Sequence, residues 1–242
     1  MKLTVLGCGD AFGNGGRYNT SFLLTEQNEH VLIDCGASTL IRLKQESINP
    51  EDISTIVISH FHGDHYGGLP FFLISSLFEV RRKASLSIVG PPGVASRIYA
   101  LQEAMYAGTG DKLSELDINY YEYCNDWLDV SDKRFIGKPV EHNQLSIPHG
   151  IRLEWKGKTF AFSGDTSWTE NLIPLSRNSD LFICECNFLQ EEAYGHLCYD
   201  ELVAKQKEIE CDNIWLSHMG NNVLNFEDSI FNKLKDGMKI DF

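Results

Sequence analysis

Short apolar segments alternate with turn-rich stretches along the chain, and the first three are typical of β-strands. Residues 3–6, 21–24 and 30–33 are mostly apolar or β-branched, and the segments between them are rich in Gly, Asn and Thr. Because these strands are short and close in sequence, they favour an antiparallel meander. A segment of helical composition follows at 38–44, and the β-branched run 53–58 predicts another strand.

The pattern then becomes helical and alternates again. Five apolar side chains fall on one face of a predicted helix: Leu69, Phe72, Leu73, Leu77 and Val80. A strand over 85–89 and a helix over 94–106 follow.

The second half of the chain again alternates predicted strands and helices. It has a predicted hairpin of strands 151–155 and 159–162, short strands at 181–184 and 214–217, and a helix over 199–208. Two strand-then-helix halves favour an α/β fold of two mixed β-sheets with helices on the outer faces, an αββα sandwich. No long linker divides the chain, so residues 1–242 are predicted to form one domain.

Composition narrows the setting in which the protein works. The hydrophobic fraction is 43%, and no apolar run reaches the roughly 18 residues of a membrane span. The N-terminal apolar segment is also too short for a secretion signal. Seven cysteines without disulfide-framework spacing indicate a reducing compartment, so we expect a cytoplasmic protein. Strand alternation would place Cys184 and Cys186 on one buried face.

The charge balance disfavours nucleic acid as a partner. The formal net charge is −13, from 34 acidic and 21 basic side chains, and such a field repels polyanions. One compact basic run, Arg81-Arg82-Lys83, is interpreted as the solvated end of a helix rather than a phosphate site.

The segment SHFHGDHYGG, residues 59–68, concentrates metal-binding side chains directly after a predicted strand. Alternation places His60 and His62 on one side, while Gly63 allows the chain to carry Asp64 and His65 to a second point. The segment therefore predicts two adjacent metal positions. The alternative is a polar loop in which these side chains only bind one another.

The motif His60-Phe61-His62-Gly63-Asp64-His65 resembles the H-x-H-x-D-H signature of the metallo-β-lactamase superfamily, and the resemblance covers nearly the whole chain. It implies the same αββα fold. By resemblance, Asp34 supports the metal ligands, Asp165 in Ser163-Gly164-Asp165-Thr166 bridges two metals, and His218 is the last histidine ligand.

The resemblance requires one more histidine, for which His142 is favoured and His149 is the alternative. The implied site has one metal on His60, His62 and His142, a second on Asp64, His65 and His218, and Asp165 shared by both. Histidine and carboxylate ligands suit two zinc ions, with manganese or iron as alternatives. Diiron relatives generally carry glutamate where this chain has His62, which argues against redox chemistry.

Two metals about 3.5–4 Å apart can hold a hydroxide and stabilise charge on a substrate oxygen, so hydrolysis is expected. The opening Gly7–Gly13 loop and Gly195-His196-Leu197-Cys198 resemble the phosphodiesterase branch, which includes ribonuclease Z. In that branch the histidine gives a proton or hydrogen bond to the substrate, a role an imidazole suits. The candidate catalytic residues are therefore Asp64, as a proton acceptor, and His196, which could instead be a surface capping residue.

We expect a phosphodiesterase that acts on a small cyclic nucleotide or cyclic phosphate through attack of a metal-held hydroxide. A tRNA 3′-processing endonuclease is the alternative, disfavoured by the acidic charge and by the lack of a long basic arm. A thioesterase, lactonase or β-lactamase, and a scaffold with structural metals, are further alternatives. Residues 104–127 are rich in tyrosine, for which packing is favoured over base stacking. A homodimer is compatible with the resemblance.

Overall fold

The computed structural model describes residues 1–124, 126–190 and 194–242, and within them fourteen strands form two seven-stranded sheets. The strands of the first sheet are β1 (Lys2–Gly7), β2 (Ser21–Glu26), β3 (Glu29–Ile33), β4 (Ile53–Val57), β5 (Leu86–Gly90), β6 (Ile118–Glu122) and β14 (Lys239–Asp241). Their order is β14-β1-β2-β3-β4-β5-β6. Pairing is antiparallel from β14 to β3 and parallel from β3 to β6.

The second sheet repeats this arrangement. Its strands are β7 (Leu128–Val130), β8 (Lys133–Pro139), β9 (His149–Trp155), β10 (Lys158–Phe162), β11 (Leu181–Glu185), β12 (Ile214–Ser217) and β13 (Asn232–Lys233). They lie in sequence order, antiparallel from β7 to β10 and parallel from β10 to β13. Side chains that follow the carboxyl ends of β4, β8, β10 and β12 can therefore all contribute to a site.

The helices of the described residues are short. They are α1 (Thr39–Gln45), α2 (Gly63–Tyr66), α3 (Leu69–Ile74), α4 (Val94–Met105), α5 (Leu172–Ser176), α6 (Tyr199–Lys205) and α7 (Asn221–Asn225). Helix α3 runs into a π-helical turn over Ser75–Glu79, so Leu77 and Val80 are only half-buried, whereas Leu69, Phe72 and Leu73 are fully buried. None of these helices combines the length and apolar character that a bilayer crossing requires.

Three apolar cores separate the layers. The central core lies between the sheets, where Phe22 of β2 meets Phe162 of β10 edge to face with ring centroids 5.5 Å apart. A second core joins the first sheet to α1, α3 and α4, and a third joins the second sheet to α5, α6 and α7. This layering confirms the αββα sandwich expected from the sequence.

The basic run at 81–83 has a structural role that the sequence analysis did not predict. Arg82 is only 4% exposed, and its guanidinium donates hydrogen bonds to the carbonyl oxygens of Pro50, Glu51, Ile53, Ala84 and Ser85. The interpretation of this residue as part of a solvated helix end is therefore wrong. It ties the segments that precede β4 and β5 to each other.

Candidate metal centre

The candidate ligands come from both sheets and meet at one edge of the molecule. His60, His62, Asp64 and His65 follow β4 of the first sheet. Three further side chains follow β8, β10 and β12 of the second sheet, namely His142, Asp165 and His218. Because these strands end at the same edge, residues distant in sequence converge there, as ligands do at the carboxyl ends of strands in other α/β folds.

The first group is formed by three imidazoles and one carboxylate. Nδ1 of His62 lies 3.1 Å from Nε2 of His60 and 3.0 Å from Nε2 of His142. Oδ2 of Asp165 lies 3.8 Å from Nε2 of His60 and 3.9 Å from Nε2 of His142. All four ligand atoms lie within 4.8 Å of one another, which is the arrangement that a tetrahedral ion requires.

The second group contains two imidazoles and two carboxylates. Nε2 of His65 lies 3.3 Å from Oδ2 of Asp64 and 3.2 Å from Oδ1 of Asp165. Nε2 of His218 lies 3.2 Å from Oδ2 of Asp64 and 3.3 Å from Oδ2 of Asp165. Asp165 therefore contacts both groups, because its Oδ2 lies near ligand atoms of each group and its Oδ1 lies near His65.

Two buried atoms indicate that a cation fits between these residues. Nε2 of His65 and Oδ1 of Asp165 have no hydrogen-bond partner among the described residues, although both are inaccessible to water. Leaving such atoms unpaired in a protein interior is costly unless a ligand satisfies them. A bound cation would likewise explain why three imidazole nitrogens converge in the first group.

Hydrogen bonds on the outer side fix the orientation of several rings. Asp34 accepts a bond from Nδ1 of His65 at 2.6 Å, and it also accepts the backbone N–H and hydroxyl of Ser59, each at 2.7 Å. Nδ1 of His142 donates to the carbonyl oxygen of Gly195 at 2.6 Å. With Nδ1 protonated, Nε2 of both histidines presents a lone pair to the site, as metal-binding histidines do.

Electrostatics distinguishes the two groups. Burial lowers the pKa of His142 to about 4 and that of His60 well below its usual range, so both rings are neutral at pH 7. Burial also lowers the pKa of His65, but Asp165, Asp64 and Asp34 outweigh it and raise the pKa well above its usual range. This carboxylate-rich position therefore favours positive charge, which a divalent cation would supply.

A further pair of titratable residues adjoins the second group. Nδ1 of His196 lies 2.9 Å from Oε1 of Glu185, a carboxylate at the end of β11 that is fully buried and also accepts the backbone N–H of Thr166 at 2.7 Å. The His196 ring stacks on that of His218 with centroids 5.4 Å apart. Burial lowers the pKa of His196, but Glu185 outweighs it and raises the pKa to about 9, so the ring carries a proton at neutral pH.

The structure brings all seven sequence-selected ligands together and places His196 beside them. His149, the alternative to His142, lies outside both groups; its Nδ1 contacts the carbonyl oxygen of Ile147, and its ring packs 5.1 Å from that of Tyr123. Sequence reasoning missed Glu185. The available signal was a single charged residue at the end of the apolar strand of residues 181–185, two positions before Asn187.

Comparison with known proteins agrees with this architecture. The family model described as Anti-Pycsar protein Apyc1 matches residues 1–236. A ribonuclease Z of Treponema pallidum is 37% identical over 235 residues, which cover 78% of this chain and 75% of that protein.

Solved structures support the fold. The short form of human tRNase Z superposes with a TM-score of 0.79 at 22% identity, covering 100% of this chain and 99% of the other. The metallo-β-lactamase fold protein YhfI from Bacillus subtilis gives 0.79 at 20% identity and covers 99% of both chains. Together with the family match over almost the full length, these likenesses show that the chain belongs to the Anti-Pycsar Apyc1 family of metallo-β-lactamase-fold hydrolases, whose relatives include ribonuclease Z.

Proposed function

We propose that this protein is a phosphodiesterase with two divalent metal ions, preferably zinc, and that its substrate is a small cyclic nucleotide or cyclic phosphate. The observation that carries the proposal is the position of the Glu185–His196 pair directly beside two ligand groups joined by Asp165. Two divalent ions held by these groups would supply Lewis acidity for the attack on phosphorus, and the Glu185–His196 pair would supply a proton to the group that leaves.

The residues present fit such ions. His60, His62 and His142 would hold one ion, Asp64, His65 and His218 the other, and Asp165 both. Bound there, two divalent ions would lower the pKa of water from 15.7 to roughly 7 and stabilise negative charge on a phosphate oxygen.

The protein's own groups would then move the protons. The carboxylate of Asp64 belongs to the second group, where it could also accept a proton from the attacking water. Nδ1 of His196 is occupied by Glu185, so Nε2 is the ring atom that can protonate the departing alkoxide. Since Glu185 keeps the imidazole charged, His196 can also bind an anionic phosphate oxygen before the bond breaks.

Charge favours a small substrate over a long polyanion. The net charge of −13 opposes the approach of RNA, whereas a cyclic nucleotide would bring a single negative charge to a site that would hold two divalent cations. The matching family model also suggests cyclic nucleotide hydrolysis.

A tRNA 3′-processing endonuclease is the second candidate, because the curated relatives are ribonucleases Z. Residues 104–127 offer little to RNA: they contain one basic side chain, Lys112, and the described part forms the end of α4, a 3₁₀ turn and β6. Tyr123 is buried there and donates to the carbonyl oxygen of Ile58. Acyl hydrolysis is disfavoured because the Gly195-His196-Leu197-Cys198 element resembles that of the phosphodiesterase branch.

All seven cysteines are free thiols, five of them buried, which supports the further proposal of a cytoplasmic location. Homodimerisation stays a prediction.

The test compares wild-type protein, reconstituted with zinc or manganese, on 3′,5′-cyclic nucleotides, a tRNA precursor, a thioester and a β-lactam. Hydrolysis of cyclic nucleotides should exceed that of the other substrates. His142→Ala should abolish turnover and lower the bound metal, while His149→Ala, the matched control, should retain both. Cleavage of the tRNA precursor alone would instead support the second candidate, and turnover of acyl substrates alone would refute both.

A further inference from the structure

A cavity of about 380 Å³ opens beside the metal centre on the side of His218 and His196. Its walls include the aromatic rings of Phe12 and Phe188 and several side-chain amides. It adjoins the site, because Nδ2 of Asn187 donates to the carbonyl oxygen of His218 at 3.0 Å and the ring of Phe188 lies 6.2 Å from that of His196.

We propose that this cavity is the nucleobase subsite of the enzyme, which receives the base while the cyclic phosphate lies at the metal centre. This inference rests on the proposed function and adds to it a statement of what recognises the substrate. The occupant is a nucleobase attached to ribose, and the recognising groups are a stacking aromatic and neutral amides.

Phe12 is the aromatic that is presented to solvent. Its side chain is 87% exposed, which leaves a large apolar surface in contact with water unless something stacks on it. The loop that carries it is held in place: Asp10, fully buried, accepts the backbone N–H of Asn14 at 3.0 Å and the Asn14 side-chain amide at 2.5 Å. Gly13 turns the chain with a φ of 66°, a conformation that favours glycine.

The same buried carboxylate connects the loop to the metal centre. Nδ2 of Asn187 lies 3.4 Å from Oδ2 of Asp10 and contacts His218 on its other side. The position of Phe12 relative to the ligands is therefore set by a chain of hydrogen bonds, as a substrate-binding group requires.

The remaining amides suit the polar edge of a base. Gln190, Asn221 and Asn222 are exposed, and their side chains make no hydrogen bond to any other residue that the structure describes. Each amide offers both a donor and an acceptor, the groups that pair with base edges. No charged side chain lines the cavity among the described residues, which suits an uncharged base. Because an amide can rotate to match different edges, we expect purines and pyrimidines both to be accepted.

The test compares a 3′,5′-cyclic nucleotide with 1-deoxyribose 3,5-cyclic phosphate, which has the same diester and no base. Phe12→Ala should lower kcat/KM for the cyclic nucleotide about 5- to 150-fold, mainly by raising KM, because removing a stacking aromatic has an effect of this size. Turnover of the base-free diester should stay within about twofold. Phe78→Ala, a substitution of another exposed phenylalanine on the outer helical layer, is the matched control and should change neither rate.

The Asn221→Ala and Asn222→Ala variants should show the same selective loss, smaller in size. Equal losses on both diesters would mean that Phe12 only positions the metal centre, and unchanged KM for the cyclic nucleotide would overturn the subsite.

Failure of the proposed function is distinguishable from failure of the subsite. If the wild-type protein hydrolyses neither diester, binding of nucleoside 5′-monophosphates and ribose 5-phosphate is compared by calorimetry. Tighter binding of the nucleotides that depends on Phe12 would support the subsite without the reaction. Equal affinities would overturn it.

Discussion

Replacing Glu185 by glutamine would remove a negative charge from a fully buried position while keeping the size of the side chain. The hydrogen bond from the backbone N–H of Thr166 can persist, because the glutamine carbonyl oxygen accepts it as the carboxylate does. The change therefore isolates the electrostatic effect of Glu185 on His196.

The expected size follows from the pKa of His196. At pH 7.5 a group with a pKa of about 9 is protonated in nearly every molecule, whereas an imidazole at its ordinary value of about 6.5 is protonated in roughly one molecule in ten. Burial lowers the pKa of His196 once the carboxylate is gone. We expect kcat for a cyclic nucleotide to fall at least about tenfold, within the roughly 10²- to 10⁴-fold range of general acid catalysis.

Steady-state rates on two substrates provide the assay. Cyclic nucleotides release an alkoxide that needs a proton, whereas bis(p-nitrophenyl) phosphate releases a phenolate that leaves without one. Glu185→Gln should slow the first reaction much more than the second, and the loss should shrink as the pH falls and His196 regains its proton. Glu141→Gln, an exposed carboxylate near the site, is the control. Equal slowing of both substrates with full metal content, or no slowing, would refute the reasoning.

Three further changes test other parts of the structure. When the metal is present at a hundredfold excess over its Kd, its removal by a chelator should lower Tm by about 5–10 °C. Asp165→Asn should reduce this difference. Scanning calorimetry together with metal analysis measures both effects. Gly195→Ala would place a Cβ atom 2.8 Å from Nδ1 of His142 at a φ of 88°, so activity should fall at least about tenfold. The control Gly157→Ala meets only backbone strain at a φ of 76°, and its rate in the same assay should not change. Arg82→Met should destabilise the fold by about 3 kcal/mol or more in urea denaturation, because buried carbonyl groups lose their hydrogen-bond donor. The control Arg81→Met, a change of an exposed residue, should alter the free energy of unfolding by no more than about 0.5 kcal/mol. Equal effects of the two substitutions would contradict this account.

Nine of the fourteen strands among the described residues, and the grouping of the candidate ligands, were predictable because their signals are local. The strand ending at Val57, the hairpin of β9 and β10 and the strand ending at Ser217 each have an apolar pattern that identifies them. The ligands follow those strand ends directly. The sequence favoured His142 over His149 but could not decide between them, because the choice depends on which way the chain turns between β8 and β9.

Other features depend on contacts between distant segments and have little local signature. The pairing of Glu185 with His196 joins residues eleven apart across the region between β11 and α6. Arg82 resembles its exposed neighbours in sequence and is buried because carbonyl groups of residues 50–53 lie opposite it. The π-helical turn after α3 is a third case, since the apolar period alone predicts a regular helix.

The edge-to-face contact of Phe22 and Phe162 has a consequence for the site, although neither residue is a candidate ligand. The first sheet carries four of the ligands and the second sheet carries three, so the thickness of the core between the sheets fixes how far apart the two halves of the site lie. A displacement of about 1 Å can cost an enzyme roughly a hundredfold in rate. Tight packing between the sheets thus sets the spacing of the candidate site, and a change of side-chain volume at Phe22 or Phe162 would change the separation of its two halves as well as stability.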